Sequence, residues 1–192
     1  DRFCIDVLGI PVILGEKTEN ERFPGAVNTY TLEAMMQDGK ALQCGTSHFL
    51  GQNFSKAMEI CFTNNKGIRE YVWTTSWGVT TRLIGALIMT HSDDNGLIVP
   101  PRIAPLHVVI ISFIPSGKQQ EEILSYCEIL QRELEKNLYH GDTIKVFQDR
   151  RDMTSGEKKW HWIKKGVPIC VEIGPKEAVS YTHLRAHETR HD

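Results

Sequence analysis

The chain has 192 residues, of which 41% are hydrophobic and 24% are charged, a composition that excludes wholesale disorder and leaves room for one ordinary domain or two small ones. Its formal charge of −2 excludes general electrostatic attraction to nucleic acid, so any contact with RNA needs a local basic patch. The five scattered cysteines lack a Cys-x-x-Cys pair, which favours a reducing cytosol over a disulfide framework or a zinc site. The sequence shows neither an apolar run long enough for a membrane span nor a signal peptide.

The first part of the chain predicts an antiparallel α+β region. A short strand at residues 10–14 and a charged loop at residues 16–25 come first. Residues 29–36 then alternate as a half-buried strand does, Asp38-Gly39 is typical of a tight hairpin turn, and residues 40–46 form the return strand.

Two helices and one more strand are predicted beyond this hairpin. The first helix covers residues 49–60 and has an apolar stripe, formed by Phe54, Ala57, Met58 and Cys61. An alternating strand follows and ends at Gly78. The second helix is capped by Thr80 or Thr81 and runs to about His91. We expect it to bury four residues, Leu83, Ile84, Leu87 and Ile88, and to admit a close neighbour at Gly85 and Ala86.

The second part predicts a small α/β domain. Residues 92–105 contain Asp-Asp-Asn-Gly and Pro-Pro and have the composition of a connection, so we expect the domain boundary there. Strands are predicted at residues 106–113, 143–147 and 168–173, with a long helix at 118–138. This β-α-β-α-β order favours a largely parallel sheet.

Polar residues gather where the return strand should end, at residues 41–53, and predict a binding site. Gln43 and Thr46 are three residues apart and point to opposite faces unless Gly45 introduces a bulge. A glycine there also permits a close backbone approach. The alternative is that both are ordinary hydrogen-bonding residues at a strand end, and that His48 is a structural histidine.

Arg82 is expected in the first turn of its helix, where the positive helix end disfavours a cation by about 0.3–1 kcal/mol. A bound anion or π-rich ligand would offset this cost, because the free backbone N–H groups there favour anions. The alternative is an exposed arginine paired with a loop carboxylate.

The second part also carries the local basic patch that RNA binding would need. Its members lie within residues 145–165: Lys145, Arg150, Arg151, Lys158, Lys159, Lys164 and Lys165, with Asp149 among them. The alternative is a solvated charged face.

Several islands, in this order, resemble prolyl-tRNA synthetase of the insertion-free, eukaryote-like and archaeal-like type. They are Glu-Arg-Phe-Pro-Gly-Ala at 21–26, Glu-Ala-Met-Met at 33–36, Asp-Gly-Lys-Ala-Leu-Gln at 38–43, Cys-Gly-Thr-Ser-His-Phe-Leu-Gly-Gln-Asn-Phe at 44–54, Ser-Trp-Gly-Val-Thr-Thr-Arg at 76–82 and Gly-Leu-Ile-Val-Pro-Pro-Arg at 96–102. The resemblance covers roughly residues 5–177.

For the fold, the resemblance implies the C-terminal half of a class II antiparallel catalytic domain at residues 1–98. An incomplete anticodon-binding domain, similar to that of the prolyl, threonyl, glycyl and histidyl enzymes, follows at residues 105–177. One departure is that Ser155-Gly156 lacks the proline of the Ser-Pro-Gly that the family usually has.

For the site, the resemblance implies that Gln43, Thr46 and Arg82 bind ATP, with Gln43 also near Mg²⁺. Gln43 and Arg82 would be catalytic, since adenylation depends on positioning and charge neutralisation and needs no general base. His48, Ser76, Trp77 and Gly78 would bind proline, with Trp77 as an aromatic wall; the alternative for Trp77 is a core residue. Four residues of the basic patch would bind tRNA: Asp149, Arg151, Lys158 and Lys159.

The implied function is ATP-dependent activation of L-proline to prolyl-adenylate and its transfer to tRNA(Pro), by a cytoplasmic homodimer that uses Mg²⁺. We expect the chain to be a truncated piece that is inactive alone, because we find neither the first class II motif nor the second with its arginine. Two alternatives are another synthetase of the subclass, threonyl or glycyl, and a non-catalytic tRNA-binding paralogue. No set of Cys and His has the spacing of the threonyl enzyme's zinc site, and the joint presence of the site residues disfavours the paralogue.

The last residues carry a misleading pattern. His183, His187 and His191 recur every fourth residue, which on a helix would indicate a metal site. We reject it, because residues 179–192 resemble the conceptual translation of a sequencing adapter and the family resemblance ends near Glu177. Residues 178–192 are therefore predicted to be a non-native tail, disordered or arbitrarily helical.

Overall fold

The computed structural model describes residues 1–114, 120–180 and 186–188, with only the backbone for residues 179, 180 and 186–188. The chain divides into two compact units, Asp1–Thr90 and His91–Asp192. No helix in the described residues is long and apolar enough to span a bilayer.

The strands and α-helices of the first unit, in chain order, are β1 (Ile13–Glu16), β2 (Asn28–Met35), β3 (Ala41–Gly51), α1 (Asn53–Ala57), β4 (Cys61–Thr63), β5 (Arg69–Tyr71), β6 (Thr74–Gly78) and α2 (Arg82–His91). Four of these strands form an antiparallel sheet with the order β1-β2-β3-β6. The predicted hairpin is confirmed, with Gly39 at φ +78° in the turn between β2 and β3. Strand β1 lies a few residues later than predicted.

The predicted helix at residues 49–60 is wrong over most of its length. Strand β3 continues to Gly51, because pairing with β2 extends to Phe49 and pairing with β6 extends to Gly51. Gly51 has φ +56°, and an added Cβ would lie 2.9 Å from Val27 Cγ2, so the chain turns there and only five residues of helix follow. Met58, expected on the buried stripe, is 65% exposed.

Helix α2 forms as predicted, but its buried face is narrower. Leu83 and Ala86 are buried, whereas Ile84 and Ile88 are 61% and 44% exposed. A Cβ at Gly85 would meet nothing within 4 Å, so the expected close neighbour at this glycine is absent from the described residues. Apolar periodicity does not reveal how much of a helix its neighbours cover.

The strands and α-helices of the second unit are β7 (Val108–Ser112), α3 (Gln120–Glu135), β8 (Leu138–Tyr139), β9 (Asp142–Thr143), β10 (Val146–Asp149), α4 (Ser155–Lys164), β11 (Ile169–Ile173), α5 (Pro175–Ser180) and β12 (Ala186–Glu188). They contain the predicted, largely parallel sheet, with the order β10-β7-β11-β12. Strands β10 and β11 both run parallel to the central strand β7.

Each face of this parallel sheet has its own apolar core. On one face Val108 and Ile110 of β7 pack with Ile123 and Cys127 of α3. On the other, Val109 and Ile111 pack with Trp162 of α4. Such double coverage is why the strands read as continuous apolar runs in the sequence.

The end of the chain differs from the prediction where it is described. Residues 186–188 form strand β12, which pairs antiparallel with β11, instead of being disordered or helical. An unpaired strand edge offers backbone groups to any extended segment, which gives a physical reason for this pairing. The predicted metal-like pattern includes His183 and His191, which lie outside the described residues.

Candidate functional site

Three neighbouring strands of the first unit bring most of the predicted site together on one side of the sheet. Residues directly opposite each other on antiparallel strands share a face. Thr29 is opposite His48, and His48 is opposite Ser76. Thr31, Thr46 and Gly78 form the next such row. We call this side, with Thr29, Thr46, His48 and Ser76, the polar face.

A bulge in β3 adds Gln43 to the polar face. The register shifts between Leu32 and Glu33, because Leu32 pairs with Gly45 whereas Glu33 pairs with Gln43. Cys44 is the extra residue, so Gln43 and Thr46 point to the same side despite an odd separation. The conditional prediction of a bulge is confirmed one residue before Gly45. A Cβ at Gly45 would lie 3.2 Å from Val79 Cγ1, so the predicted close approach is present.

His48 is held by a buried threonine and by an aromatic ring. Its Nδ1 lies 3.0 Å from Thr29 Oγ1. The ring of Phe23 packs against the imidazole with 4.9 Å between the centroids. Thr29 Oγ1 also accepts a hydrogen bond from the backbone N–H of Phe23, at 3.3 Å. His48 is therefore fixed on the polar face by both β2 and the loop before it.

Gln43 is engaged by a cation. Lys17 Nζ donates to its Oε1 at 2.9 Å. This contact engages the amide oxygen, and the NH₂ group of Gln43 has no hydrogen-bond partner in the described residues. The oxygen does not fit as a direct ligand of Mg²⁺, because it faces an ammonium group and a metal ion there would be repelled. Nor do the described residues contain a cluster of His, Cys, Asp and Glu arranged to hold a metal.

Trp77 corrects the prediction of an aromatic wall beside proline. It pairs with Ser47, between the rows that contain His48 and Thr46, so its side chain points to the opposite side of the sheet. There it is 77% exposed in an apolar groove with Leu14 and Tyr30. It is not a core residue either. Only Ser76 and Gly78 of the predicted trio face His48.

Arg82 is the first residue of α2, in the first turn as predicted, and it is exposed. Its backbone N–H donates to Thr80 Oγ1 at 3.3 Å, so Thr80 is the capping residue of the two that the sequence offered. No carboxylate in the described residues pairs with its guanidinium, which removes the loop ion pair considered as an alternative. The residue follows Gly78, the partner of Thr46, by four positions.

The basic patch of the second unit has a buried core. Asp149 is 0% exposed, and its carboxylate accepts from Arg151 Nε at 2.9 Å, from Arg151 Nη2 at 2.6 Å and from Trp162 Nε1 at 2.7 Å. The hydrogen bonds from Arg151 hold the pKa of Asp149 well below its ordinary value of 3.8, against the opposing effect of burial. Lys158, 5% exposed, donates to the backbone oxygen of Asp149. We call Asp149, Arg151, Lys158 and Trp162 the Asp149 cluster.

The Asp149 cluster corrects the prediction of four tRNA contacts. Asp149 and Lys158 cannot reach a base or a phosphate, because both are buried and their polar atoms serve the domain itself. Arg151 and Lys159 keep 37% and 36% of their side-chain surface exposed. Lys159 pairs with Glu172 at 2.8 Å. The loop without the family's proline starts α4 through a capping box between Thr154 and Glu157.

Sequence reasoning missed Lys17, Phe23 and Thr29. All three precede the polar strand end, in a region for which the sequence predicts only a charged loop and a half-buried strand. Thr29 offered one signal, since it is a polar residue that strand alternation places on the same face of β2 as Thr31. Lys17 offered none, because its contact with Gln43 spans 26 residues of sequence.

An antiparallel sheet with a polar face, followed by a small parallel α/β domain, is the arrangement that the resemblance implies for part of a class II aminoacyl-tRNA synthetase. The Anticodon binding domain family matches residues 107–190, a range that takes in most of the suspected tail. Proline--tRNA ligase from Akkermansia muciniphila is 56% identical over 177 residues, covering 92% of this chain and 35% of that protein. The corresponding protein of Bdellovibrio bacteriovorus is 57% identical over 175 residues, again covering 35% of its length.

A solved structure supports the same assignment. Prolyl-tRNA synthetase from Cryptosporidium parvum, complexed with L-proline and AMP, superposes with a TM-score of 0.84 at 38% identity, covering 97% of this chain and 39% of that one. The chain belongs to the prolyl-tRNA synthetase family. It spans about a third of the length of the curated relatives that it matches.

Proposed function

We propose that this chain serves proline–tRNA ligase activity, in which L-proline is activated with ATP and then esterified to tRNA(Pro). The observation that carries the proposal is the polar face. Three adjacent strands and one bulge gather Gln43, Thr46, His48 and Ser76 on one side of the sheet. A non-catalytic tRNA-binding paralogue would have no need of this arrangement.

In the proposed reaction a carboxylate oxygen of proline attacks the α-phosphorus of ATP, and pyrophosphate leaves. No proton has to be removed from the carboxylate, so catalysis depends on positioning and on neutralising phosphate charge. Arg82 and Lys17 supply positive charge, and Gln43, whose oxygen is engaged by Lys17, supplies amide donors. Thr46, His48, Ser76 and Gly78 continue the same face towards the proline side.

The surroundings of Lys17 favour nucleotide binding beside Gln43. It is partly buried, and in the described residues its ammonium has the neutral amide of Gln43 as its partner and no carboxylate. A phosphate oxygen would complete its charge-assisted hydrogen bonds. The proposal routes no step through Mg²⁺, because the oxygen of Gln43 faces Lys17.

In the second unit we propose that Arg151 and Lys159 contact tRNA phosphates or anticodon bases, because they are the members of the four predicted contacts that keep exposed surface. Location in the cytoplasm and assembly as a homodimer remain predictions from the family resemblance.

The catalytic proposal is tested in a chimera in which the 177 matched residues replace their counterparts in the Akkermansia muciniphila relative. Proline-dependent ATP–pyrophosphate exchange is measured. His48→Ala should raise the KM for proline more than that for ATP, and Gln43→Ala should do the reverse. Ser47→Ala is the matched control, since Ser47 lies on the same strand but faces the other side. An unchanged proline KM in His48→Ala would refute the assignment.

A further inference from the structure

We propose that Thr29 is a positioning residue that fixes His48 with its proton on Nε2, so that His48 meets the carboxylate of proline as a hydrogen-bond donor. The inference about the proton rests on the geometry of Thr29 alone. The part that concerns proline rests on the proposed function.

The hydroxyl group of Thr29 has its bonding roles assigned by its neighbours. Thr29 is 1% exposed, so water does not satisfy its hydroxyl. The backbone N–H of Phe23 can only donate, and it uses one lone pair of Oγ1 at 3.3 Å. In the described residues the other hydrogen-bond partner of Oγ1 is Nδ1 of His48, at 3.0 Å.

These roles select one tautomer of the imidazole. If Nδ1 carried the proton, it would donate to Oγ1, and the hydroxyl hydrogen would be buried without an acceptor. If Nδ1 is bare, it accepts the hydroxyl hydrogen and every group is satisfied. Neutral His48 therefore carries its proton on Nε2, just as an ordering partner on one ring nitrogen sets the state of the other.

The chosen tautomer decides which part of proline His48 can address. No residue in the described chain bonds to Nε2, so its N–H is left for a ligand on the polar face. The carboxylate of proline only accepts hydrogen bonds, whereas its secondary ammonium only donates. An Nε2–H donor thus matches the carboxylate, the group that attacks ATP. The ring of Phe23 packs against the imidazole, with 4.9 Å between the centroids.

The tautomer is measured on the 192-residue chain by long-range ¹H–¹⁵N NMR with ¹⁵N-labelled histidine, in alkaline buffer where imidazoles are neutral. The His48 signals are identified by their loss in His48→Gln. We expect the Nε2–H pattern with Nδ1 shifted by hydrogen bonding. Thr29→Val should abolish that shift and Thr29→Ser should retain it. Thr31→Val is the matched control, since Thr31 is also buried on β2 and on the same face.

An Nδ1–H pattern in the parent chain would overturn the inference. An Nδ1 chemical shift that is the same in Thr29→Val as in the parent chain would also overturn it. Loss of folding in Thr29→Val would leave the pattern of the parent chain and of Thr29→Ser as the deciding measurements. None of these outcomes depends on catalysis, so they are separate from the fate of the proposed function.

The functional part is measured in the chimera. Thr29→Val should raise the KM for proline about tenfold, leave the KM for ATP within about twofold, and be rescued by Thr29→Ser; about tenfold corresponds to one charge-assisted hydrogen bond. Inhibition by L-prolinol, which lacks the carboxylate, should not change. Equal losses for proline and prolinol would refute the carboxylate contact. A chimera inactive with proline in every form would instead refute the proposed function and leave the tautomer result standing.

Discussion

The two sheets of this chain differ in how far their faces are buried. All five residues of β7 in the second unit are buried, with α3 on one side and α4 on the other. In the first unit β6 is almost wholly exposed, and Trp77 keeps 77% of its surface accessible. A doubly covered parallel sheet commits its side chains to stability, whereas an antiparallel sheet can reserve one face for a ligand.

The comparison extends to charged residues. In the second unit the most deeply placed charges, Asp149 and Lys158, hold a strand end to a helix. In the first unit Lys17 and Arg82 have no carboxylate partner in the described residues. Charges that are satisfied internally should govern folding, and charges that are not should govern binding. The following predictions test this division, from the largest expected effect to the smallest.

Asp149→Asn should lower the free energy of unfolding of the second unit by about 3–5 kcal/mol, because it removes the charge from a fully buried carboxylate that accepts hydrogen bonds from Arg151 and Trp162. The change is measured by urea unfolding followed through NMR signals of β7 and β11. Asp152→Asn, at an exposed acid three residues along the chain, should stay within about 0.5 kcal/mol. Equal effects of the two substitutions would mean that the Asp149 cluster is only a surface network.

Ile111→Ala should cost about 2–4 kcal/mol, because Ile111 is 0% exposed and the truncation leaves a cavity against Trp162. Trp77→Ala removes a larger side chain from the first unit, yet it should cost less than about 1 kcal/mol, since most of that surface is already in water. Both are measured by the same urea titration. If Trp77→Ala lowered the free energy of unfolding more than Ile111→Ala, the proposed difference between the covered and the exposed sheet would be wrong.

Lys17→Met should raise the KM for ATP in the chimera by about tenfold, the loss of one charge-assisted hydrogen bond, and should change the stability of the first unit little. Pyrophosphate exchange at saturating proline gives the KM. Lys40→Met is a suitable control, because Lys40 is exposed and pairs with Asp38 at the far end of the hairpin. If Lys17→Met unfolds the sheet and spares ATP binding, Lys17 belongs with the structural charges.

Acid should weaken the second unit through Asp149. Because its pKa in the folded chain is lowered, its contribution to stability is complete above the ordinary pKa of 3.8 and is lost as the pH falls towards the lower folded value. From about pH 5 to about pH 3 this one group should remove about 1 kcal/mol. The difference in unfolding free energy between the parent chain and Asp149→Asn should therefore shrink over this interval. A difference that stays constant would contradict the lowered pKa.

Much of the fold follows from local patterns, and the failures share one cause. Alternation located β2, and continuous apolar runs located β7 and β11. The helix expected at residues 49–60 failed because pairing of β3 with β6 extended the strand to Gly51, an interaction between segments that local periodicity does not contain. The exposed side of α2 was unpredictable for the same reason.

The candidate site divides along the same line. Gln43, Thr46, His48 and Ser76 were predicted by residue type and family resemblance, and the structure brings them to one face. Trp77 was assigned with them because it is their neighbour in sequence, but strand alternation turns it away. The sequence predicts Asp149 together with the nearby lysines, because it shows which residues are charged but not which of them are buried. Its burial depends on Trp162, thirteen residues on and part of another element.

The bulge at Cys44 makes the length of this segment as important as its composition. Gln43 and His48 are separated by an odd number of positions, and only the extra residue brings them to the same side. A substitution between them leaves every other side chain on its own face of the sheet. Deleting a single residue would instead move all side chains on one side of the deletion to the opposite face. During evolution this stretch should therefore change by substitution, whereas insertions and deletions should occur in the turn at Asp38-Gly39.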